Sequence, residues 1–487
     1  MGWKEAAEPV LTRMPAVQRP QKHVPFKRKL AWTAGILVLY FFLTNIALLG
    51  MQSGQGTDLF GEFRAVLAGE HGSLMQVGIG PIVTASIVMQ LLGGANLLGL
   101  DTNDPRDQVL YQGLQKLLVI VMTALTALPM VFAGGFLPVQ QSLTLGGFTF
   151  DQTQIQALMF LQIFIGGVLI LYMDEVVSKW GIGSGIGLFI IAGVSQRLVT
   201  GFIQPASGGF FYDWYRILTG QVEIGSIVAG DGLYTLLLQE GHIIALFTTL
   251  LIFGIVVYAE SVRVEIPLSH SRVKGARGRF PVKLIYASVL PMILVRALQA
   301  NIQFIGQIMH SQWAGMPQWL GEYGPQGQPV SGFFYYTAPI YSPEDWMWWT
   351  GEVAQDAWMV MIRISVDLTF MVIGGAIFAI FWVETTNMGP EATAQQIQNS
   401  GMQIPGFRQN TGVIEKVMER YIPQVTVIGG ALVGLLAVWA NMLGTIGAVT
   451  GTGLLLAVSI TYKLYEEIAE EQMMEMHPMM RQMFGKE

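Results

Sequence analysis

The stretch KWGIGSGIGLFIIAG at 179–193 has the spacing that most invites a chemical reading: glycines at 181, 183, 185 and 187, directly ahead of an apolar run. A glycine run at a helix start can cradle phosphate on bare backbone N–H groups. Nucleotide loops of that kind need Gly-x-x-x-x-Gly-Lys-Ser/Thr, or Gly-x-Gly-x-x-Gly after a strand. Neither spacing is present, no lysine follows, and an apolar segment begins instead of a strand–helix unit. A rhomboid-like serine protease needs Gly-x-Ser-Gly. Here Ile182-Gly183-Ser184-Gly185 lacks the first glycine, and no general base accompanies it. His23, His71, His242, His270, His310 and His477 all fall in polar segments or at the ends of apolar runs. No two carboxylates share the middle of one run, so acid–base catalysis has no constellation to work with. The absence of cysteine removes disulfides, thiolate metal sites and thiol nucleophiles. The expectation is a protein that is not an enzyme and has neither metal nor cofactor.

What the glycines offer is thinness. Small residues let helices approach closely, or let something else pass near the backbone. The segment GIGPIVTASIVMQLLGG at 78–94 has the same character. In both segments an aliphatic pair follows at i, i+4: Ile79 with Val83, and Ile186 with Ile190. Such pairs stack on one helical face. Ordinary core packing accounts for them as well as any special role does.

The elements that carry these residues read as membrane spans. Of 487 residues, 52% are hydrophobic and 12% charged, with mean hydropathy +0.48. Soluble domains carry about 25% charged residues, and a spanning helix needs ~20 mostly apolar ones. Ten runs qualify, at roughly 30–49, 76–98, 111–133, 153–172, 185–204, 241–259, 284–305, 358–382, 424–443 and 445–464. The fold class is therefore an all-α polytopic membrane protein, and no cleavable signal peptide precedes the first run. With a cytoplasmic N-terminus, cytoplasmic segments hold 21 of the 27 Lys and Arg, counting Lys463 at the inner end of the last run, external segments only Arg64 and Arg216, and spans the remaining four. That bias sets the orientation and puts the C-terminus in the cytoplasm.

The chain divides into a cytoplasmic segment 1–29, a first half 30–204, an external connector 205–240, a second half 241–464 and a cytoplasmic tail 465–487. Five spans per half is an odd number, so the halves enter from opposite sides. This is the arithmetic of an inverted repeat, which tends to place a pathway at the interface of the halves. Two segments are neither span nor loop. Trp3, Ala6, Ala7, Val10, Leu11 and Met14 share a helical face that suits the cytoplasmic membrane surface, although Pro9 would disturb it. Leu59, Phe60, Phe63, Val66 and Leu67 share another. That helix is about twelve residues, or ~18 Å, too short to cross. It is either interfacial or a re-entrant piece covered by protein.

Arg263, Arg272, Lys274, Arg277, Arg279 and Lys283 crowd the cytoplasmic loop 260–283 around a Gly-rich tip, a shape that suits phosphate contacts. Loop 383–423 adds Arg408, Lys416 and Arg420 among four glutamates. Within the spans, Arg296 and Asp367 lie at similar depth on sequential helices, and ionisable residues there are functional candidates. An ion pair between them is one expectation; separate exposure to a water-filled cavity is the other.

GIGPIVTASIVMQLL (78–92), DEVVSKWGIGSGIGLFIIAGVSQ (174–196), YAESVRVEIPLSHSRVKGARGRFPVK (258–283), FWVETT (381–386) and GTGLLLAVSI (451–460) together strongly resemble the SecY family of translocon channel subunits, in its archaeal branch. The similarity runs from residue 3 to the C-terminal region. It implies a clamshell of two inverted five-helix halves with a re-entrant plug helix near 57–67. It implies a pore ring of Ile79, Val83, Ile186, Ile190, Ile293 and Leu456. It implies a lateral gate with polar positions at Thr84, Asn301 and, where relatives often have Glu, Thr126. Arg272, Lys274, Arg277, Arg279 and Arg408 would face ribosomal RNA. The implied partners are SecE-like (gamma) and small beta-type subunits, the ribosome with its nascent chain, signal sequences and membrane lipid, with no DNA. The implied location is the cell (plasma) membrane. With no nucleotide motif of its own, the chain would draw energy from elongation, a partner or trapping. A secondary transporter with inverted repeats is the competing reading; it predicts a polar small-ligand site at midplane.

Overall fold

The computed structural model describes residues 3–476 except 23, 53–63, 95–97, 101–103, 134–136, 146–147, 206–207, 222–230, 239–240, 271–276, 284–289, 314, 325–326, 351–352, 387, 400–401 and 404–410. Among the described residues, ten helices correspond one to one with the ten apolar runs, the second being a short one of 15 residues. In the first half they are α2 (Phe26–Thr44), α4 (Gly80–Gly94), α5 (Pro105–Phe132), α6 (Gln152–Trp180) and α7 (Gly185–Ile203). In the second they are α10 (Ile243–Ser261), α11 (Leu290–Gln312), α13 (Ala357–Thr385), α15 (Thr411–Leu443) and α16 (Gly451–Met476). Six are long and apolar enough to cross a membrane on length and composition alone. Short helices complete the set: α1 (Trp3–Leu11), α3 (Arg64–Leu67), α8 (Phe210–Leu218), α9 (Asp231–Leu237), α12 (Gly332–Thr337) and α14 (Pro390–Asn399).

Local chemistry places several helix starts. Asp104 caps α5 by accepting from Arg106 N at 3.1 Å, with Pro105 at the first helical position, where a missing N–H costs nothing. Asp151 N donates to Gln154 Oε1 at 3.1 Å in the capping box that opens α6. α4 begins later than its hydropathy suggests, at Gly80. Gly78 holds φ +56°, and a Cβ there would lie 2.2 Å from Leu67 O, so the chain turns into the helix on bare backbone. The approach is irregular yet buried from Met75 to Ile79, which is tolerated at membrane depth where protein covers it.

Each half packs within itself: α2 on α6 and α7, α4 on α5, α5 on α6; then α10 on α16, α11 on α13, α13 on α15, α15 on α16. The halves meet where α7 touches α16 and α4 touches α11 and α13. One hydrophobic cluster runs through that seam and includes residues of both halves.

Several expectations change. The segments read as loops contain strands, because exposed polar chain still satisfies its backbone by pairing. Loop 260–283 is a hairpin of β3 (Arg263–His270) and β4 (Arg277–Lys283). Loop 383–423 is α14, the strand β7 (Met402–Gln403) and the first turns of α15. β7 pairs with β3, Ser269 opposite Gln403 and His270 opposite Met402, so both basic segments share one three-stranded sheet. Outside the spans, β1 (Ser142–Leu145) pairs with β2 (Phe148–Asp151), and β5 (Glu322–Tyr323) with β6 (Pro329–Ser331). The connector 205–240 holds α8 and α9. α1 forms despite Pro9 and docks on α5 instead of lying free: Leu11 is buried, Lys4 Nζ lies 2.8 Å from Asp107 Oδ2, and Arg106 Nη2 lies 2.5 Å from Glu8 Oε2.

Candidate functional site

The glycine run has a packing explanation. Asp174 near the end of α6 turns back on the start of α7, and its Oδ1 accepts from Ile186 N at 2.9 Å. A Cβ on Gly185 would lie 2.6 Å from Asp174 Cα, and one on Gly187 would lie 2.8 Å from Ile460 Cγ2 on α16. Real side chains do not approach that closely, so glycine lets α7 wedge between α6 and α16. Asp174 was not singled out from sequence. The available signal was a carboxylate at a span end shortly before a helix start, where free N–H groups need an acceptor.

The wedge fixes where the following side chains go. Ile186 is partly buried and lines a cavity of about 600 Å³ with Ile82, Gln115, Lys116 and Glu175. One turn on, Ile190 is fully buried. Further along the same helix, Gly193, Gln196, Arg197 and Thr200 line a second cavity of about 520 Å³, shared with Tyr40, Arg64 and Glu70. From 186 to 193 is ~10 Å at 1.5 Å per residue. Along α7, two polar-lined cavities are thus touched about two turns apart, with buried Ile190 between those positions. Ile79 and Leu456 are 0% exposed, Ile293 2% and Val83 3%. All five buried ring candidates belong to the cluster at the seam, with Ile186 packed against it. They come from α4 and its approach, α7, α11 and α16, two helices from each half.

Of the plug candidates, Leu59, Phe60 and Phe63 lie outside the described residues. Val66 and Leu67, on α3, are buried. Leu67 O accepts from Ile79 N at 2.7 Å, and Tyr40 OH donates to Ala68 O at 3.1 Å. A Cβ on Gly453 would lie 3.3 Å from Val66 Cγ2, which places Val66 against the start of α16. Arg64, counted above as an external cation, is buried and donates from Nη1 to Gln76 O at 3.3 Å.

Across the seam of α4 and α11, Asn301 Nδ2 donates to Thr84 Oγ1 at 3.1 Å. Thr126 does not join them: its hydroxyl donates to Met122 O of its own helix at 2.8 Å. A side chain as short as threonine reaches its own backbone more readily than a neighbouring helix.

Arg296 is 1% exposed and Asp367 0%, with Arg296 Nη1 3.1 Å from Asp367 Oδ1. Gln299, which sequence reading missed, joins both: it accepts from Arg296 Nη1 at 2.8 Å and donates to Asp367 Oδ1 at 2.8 Å. Asp367 Oδ2 also accepts from Ile340 N at 3.4 Å. Arg363 donates to Ala338 O at 3.0 Å and Pro339 O at 2.7 Å. Asp367 and Arg363, both on α13, therefore hold the segment after α12. Arg296 Nε and Nη2 are buried without a hydrogen-bond partner.

Arg277 and Arg279 lie on β4, opposite Ser269 and Pro267. Arg272, Lys274 and Arg408 lie outside the described residues. At the base of the hairpin, Glu466 on α16 takes Arg263 Nη2 at 3.2 Å on Oε1 and Lys283 Nζ on Oε2.

Residues 73–465 match the SecY family model, and residues 38–72 match the plug domain of Sec61p. A protein translocase subunit SecY from Haloferax volcanii is 69% identical across 100% of both chains. A solved structure described as "The structure of a protein conducting channel" aligns with TM-score 0.80 and 38% identity over 97% of this chain and 98% of that one. Sec61 in the canine ribosome–channel complex aligns with TM-score 0.77 and 38% identity, again over 97% and 98%. The ten-helix clamshell, the plug-domain match and the full-length identity agree: the chain is a multi-pass membrane protein that belongs to the SecY family of protein translocase channel subunits.

Proposed function

We propose that the chain is the central channel of a Sec translocon, passing unfolded polypeptides between its two halves and releasing apolar segments sideways into lipid. The supporting observation is the shared burial of Ile79, Val83, Ile190, Ile293 and Leu456, from both halves, in one apolar cluster at the seam, with Ile186 packed against it. Aliphatic packing is non-directional, so such a ring closes around any passing sequence. It offers no ion ligand, and a narrow apolar constriction dewets. No catalysis enters this scheme. Val66 and Leu67, with the rest of the plug, seat under the ring when the channel is idle. The gate opens where Asn301 and Thr84 part. Two residues of modest polarity are easily traded for lipid or for a signal sequence. The charged pair within the spans, Arg296 with Asp367, is engaged with itself and with Gln299, which weighs against its serving as a secondary transporter's ligand site.

The sheet of β3, β4 and β7 carries Arg277 and Arg279, and Arg272, Lys274 and Arg408 are close to its strands in sequence. This face docks the ribosome through phosphate contacts. SecE-like and small beta-type subunits complete the assembly in the plasma membrane, with both termini cytoplasmic. Crosslinking from single photoreactive residues at 186 and 190 to a stalled secretory chain tests the central claim. Adducts at both positions are expected. Adducts only at lipid-facing controls such as Val199 would defeat it.

A further inference from the structure

Glu466 stands in an unusual place for an anion. It projects from the extension of α16 into the base of a hairpin whose cations are read above as an RNA-docking face. Its two carboxylate oxygens are divided between the two strands: Oε1 to Arg263 at the first residue of β3, Oε2 to Lys283 at the last residue of β4. These two residues are directly opposite in the hairpin register. Tyr462, one turn earlier and on the same face of α16, places its ring 5.8 Å from Lys283 Nζ. Five residues later, Glu471 takes Lys29 Nζ at 2.6 Å, which anchors this part of α16 to the start of α2. The hairpin base is thus gripped at one point by a helix that is itself braced.

We infer that Glu466 is a positioning residue: by bridging Arg263 and Lys283 it sets the direction in which the hairpin projects from the membrane. The inference rests on the reading that the hairpin docks the ribosome. Geometry favours alignment over simple charge balance. A bare anion beside a basic surface weakens its attraction for phosphate, so its removal alone strengthens ribosome binding. A positioning anion has the opposite sign, because its removal lets the hairpin swing and scatters the cations. An exposed pair is weak in isolation, but two pairs closing on one carboxylate tie both strands of the hairpin to α16 at the same point.

The test uses the complete channel complex in nanodiscs. The chain has no cysteine, so Ser269→Cys on β3 and Met473→Cys on α16 form a clean spin-label pair. Glu466→Gln is expected to broaden the label distance distribution and to weaken ribosome binding about fivefold at low salt, a size consistent with two surface pairs. The double variant Arg263→Gln/Lys283→Gln is expected to broaden it equally. Unchanged distances, or unchanged or tighter ribosome binding in Glu466→Gln, would overturn the inference. Arg272→Gln/Lys274→Gln separates the two readings. If that variant binds ribosomes as wild type does, the docking reading fails; the distance distribution then decides the role of Glu466 by itself.

Discussion

Arg296 and Asp367 show how a membrane interior treats charge. Both are buried, and each is met by the other and by Gln299, with Ile340 N also donating to Asp367. Removing one partner from a buried pair leaves an uncompensated charge, at a cost of about 3–5 kcal/mol. Asp367→Asn and Arg296→Gln are each expected to destabilise the purified protein strongly. The double variant is expected to lose less than their sum, with a coupling of at least ~1 kcal/mol. Thermal unfolding in detergent reads this, and strict additivity would mean that the two side chains do not act as a pair. Asp174 makes the complementary point. Its contact with Ile186 N joins residues twelve apart through a turn whose shape no local pattern specifies. The glycines were legible as thin, but what they make room for was not.

At the scale of elements, α1 illustrates a weak attachment that pH can probe. The hydrogen bond from Arg106 holds the Glu8 carboxyl below the ordinary carboxylate range. A lowered folded pKa means that the docked contact is complete above the ordinary value of about 4.5 and is lost only as pH falls through the lower folded one. A spin label at Val10→Cys is therefore expected to stay immobile from pH 7 down to that ordinary value and to gain mobility only below it. Glu8→Gln is expected to show part of that mobility at neutral pH. A midpoint at the ordinary carboxylate value would show that the pair does not form. α7 is a stronger element, and its test concerns the seal. Replacing Ile186 and Ile190 by Gly removes one partly buried and one buried aliphatic group from α7. A several-fold rise in ion leak across proteoliposomes is expected, and wild-type leak in that variant would show that the barrier lies elsewhere.

At the scale of the whole molecule, orientation, docking and sorting follow from where charge and grease are placed. If the three-stranded sheet meets RNA, ribosome affinity falls steeply with salt, and each lost phosphate contact lowers the slope of log K against log salt by about 1. Arg277→Gln and Arg279→Gln are each expected to do so. Binding assays across a salt series check this, and an unchanged slope would move the docking face. Lateral release needs no specific site. Leu or Ile gains about 0.3–0.6 kcal/mol at the bilayer centre whereas Lys or Asp costs about 2.5–3.5, so partition alone separates secreted from integrated segments.

Composition and periodicity were enough to mark the ten apolar runs that the structure makes helical, because hydropathy is summed along the chain and needs no knowledge of neighbours. The family motifs added the proposed ring and plug positions, and five of the six residues proposed for the ring are buried in one cluster at the seam. Contacts between distant segments were another matter. Gln299 beside Asp367, Asp174 under α7, Glu466 across the hairpin base and β7 alongside β3 each join residues that only folding brings within a few ångströms. Helix starts such as Gly80 moved for the same reason: hydropathy marks where chain is buried, while backbone hydrogen bonding against a neighbour decides where it becomes helical.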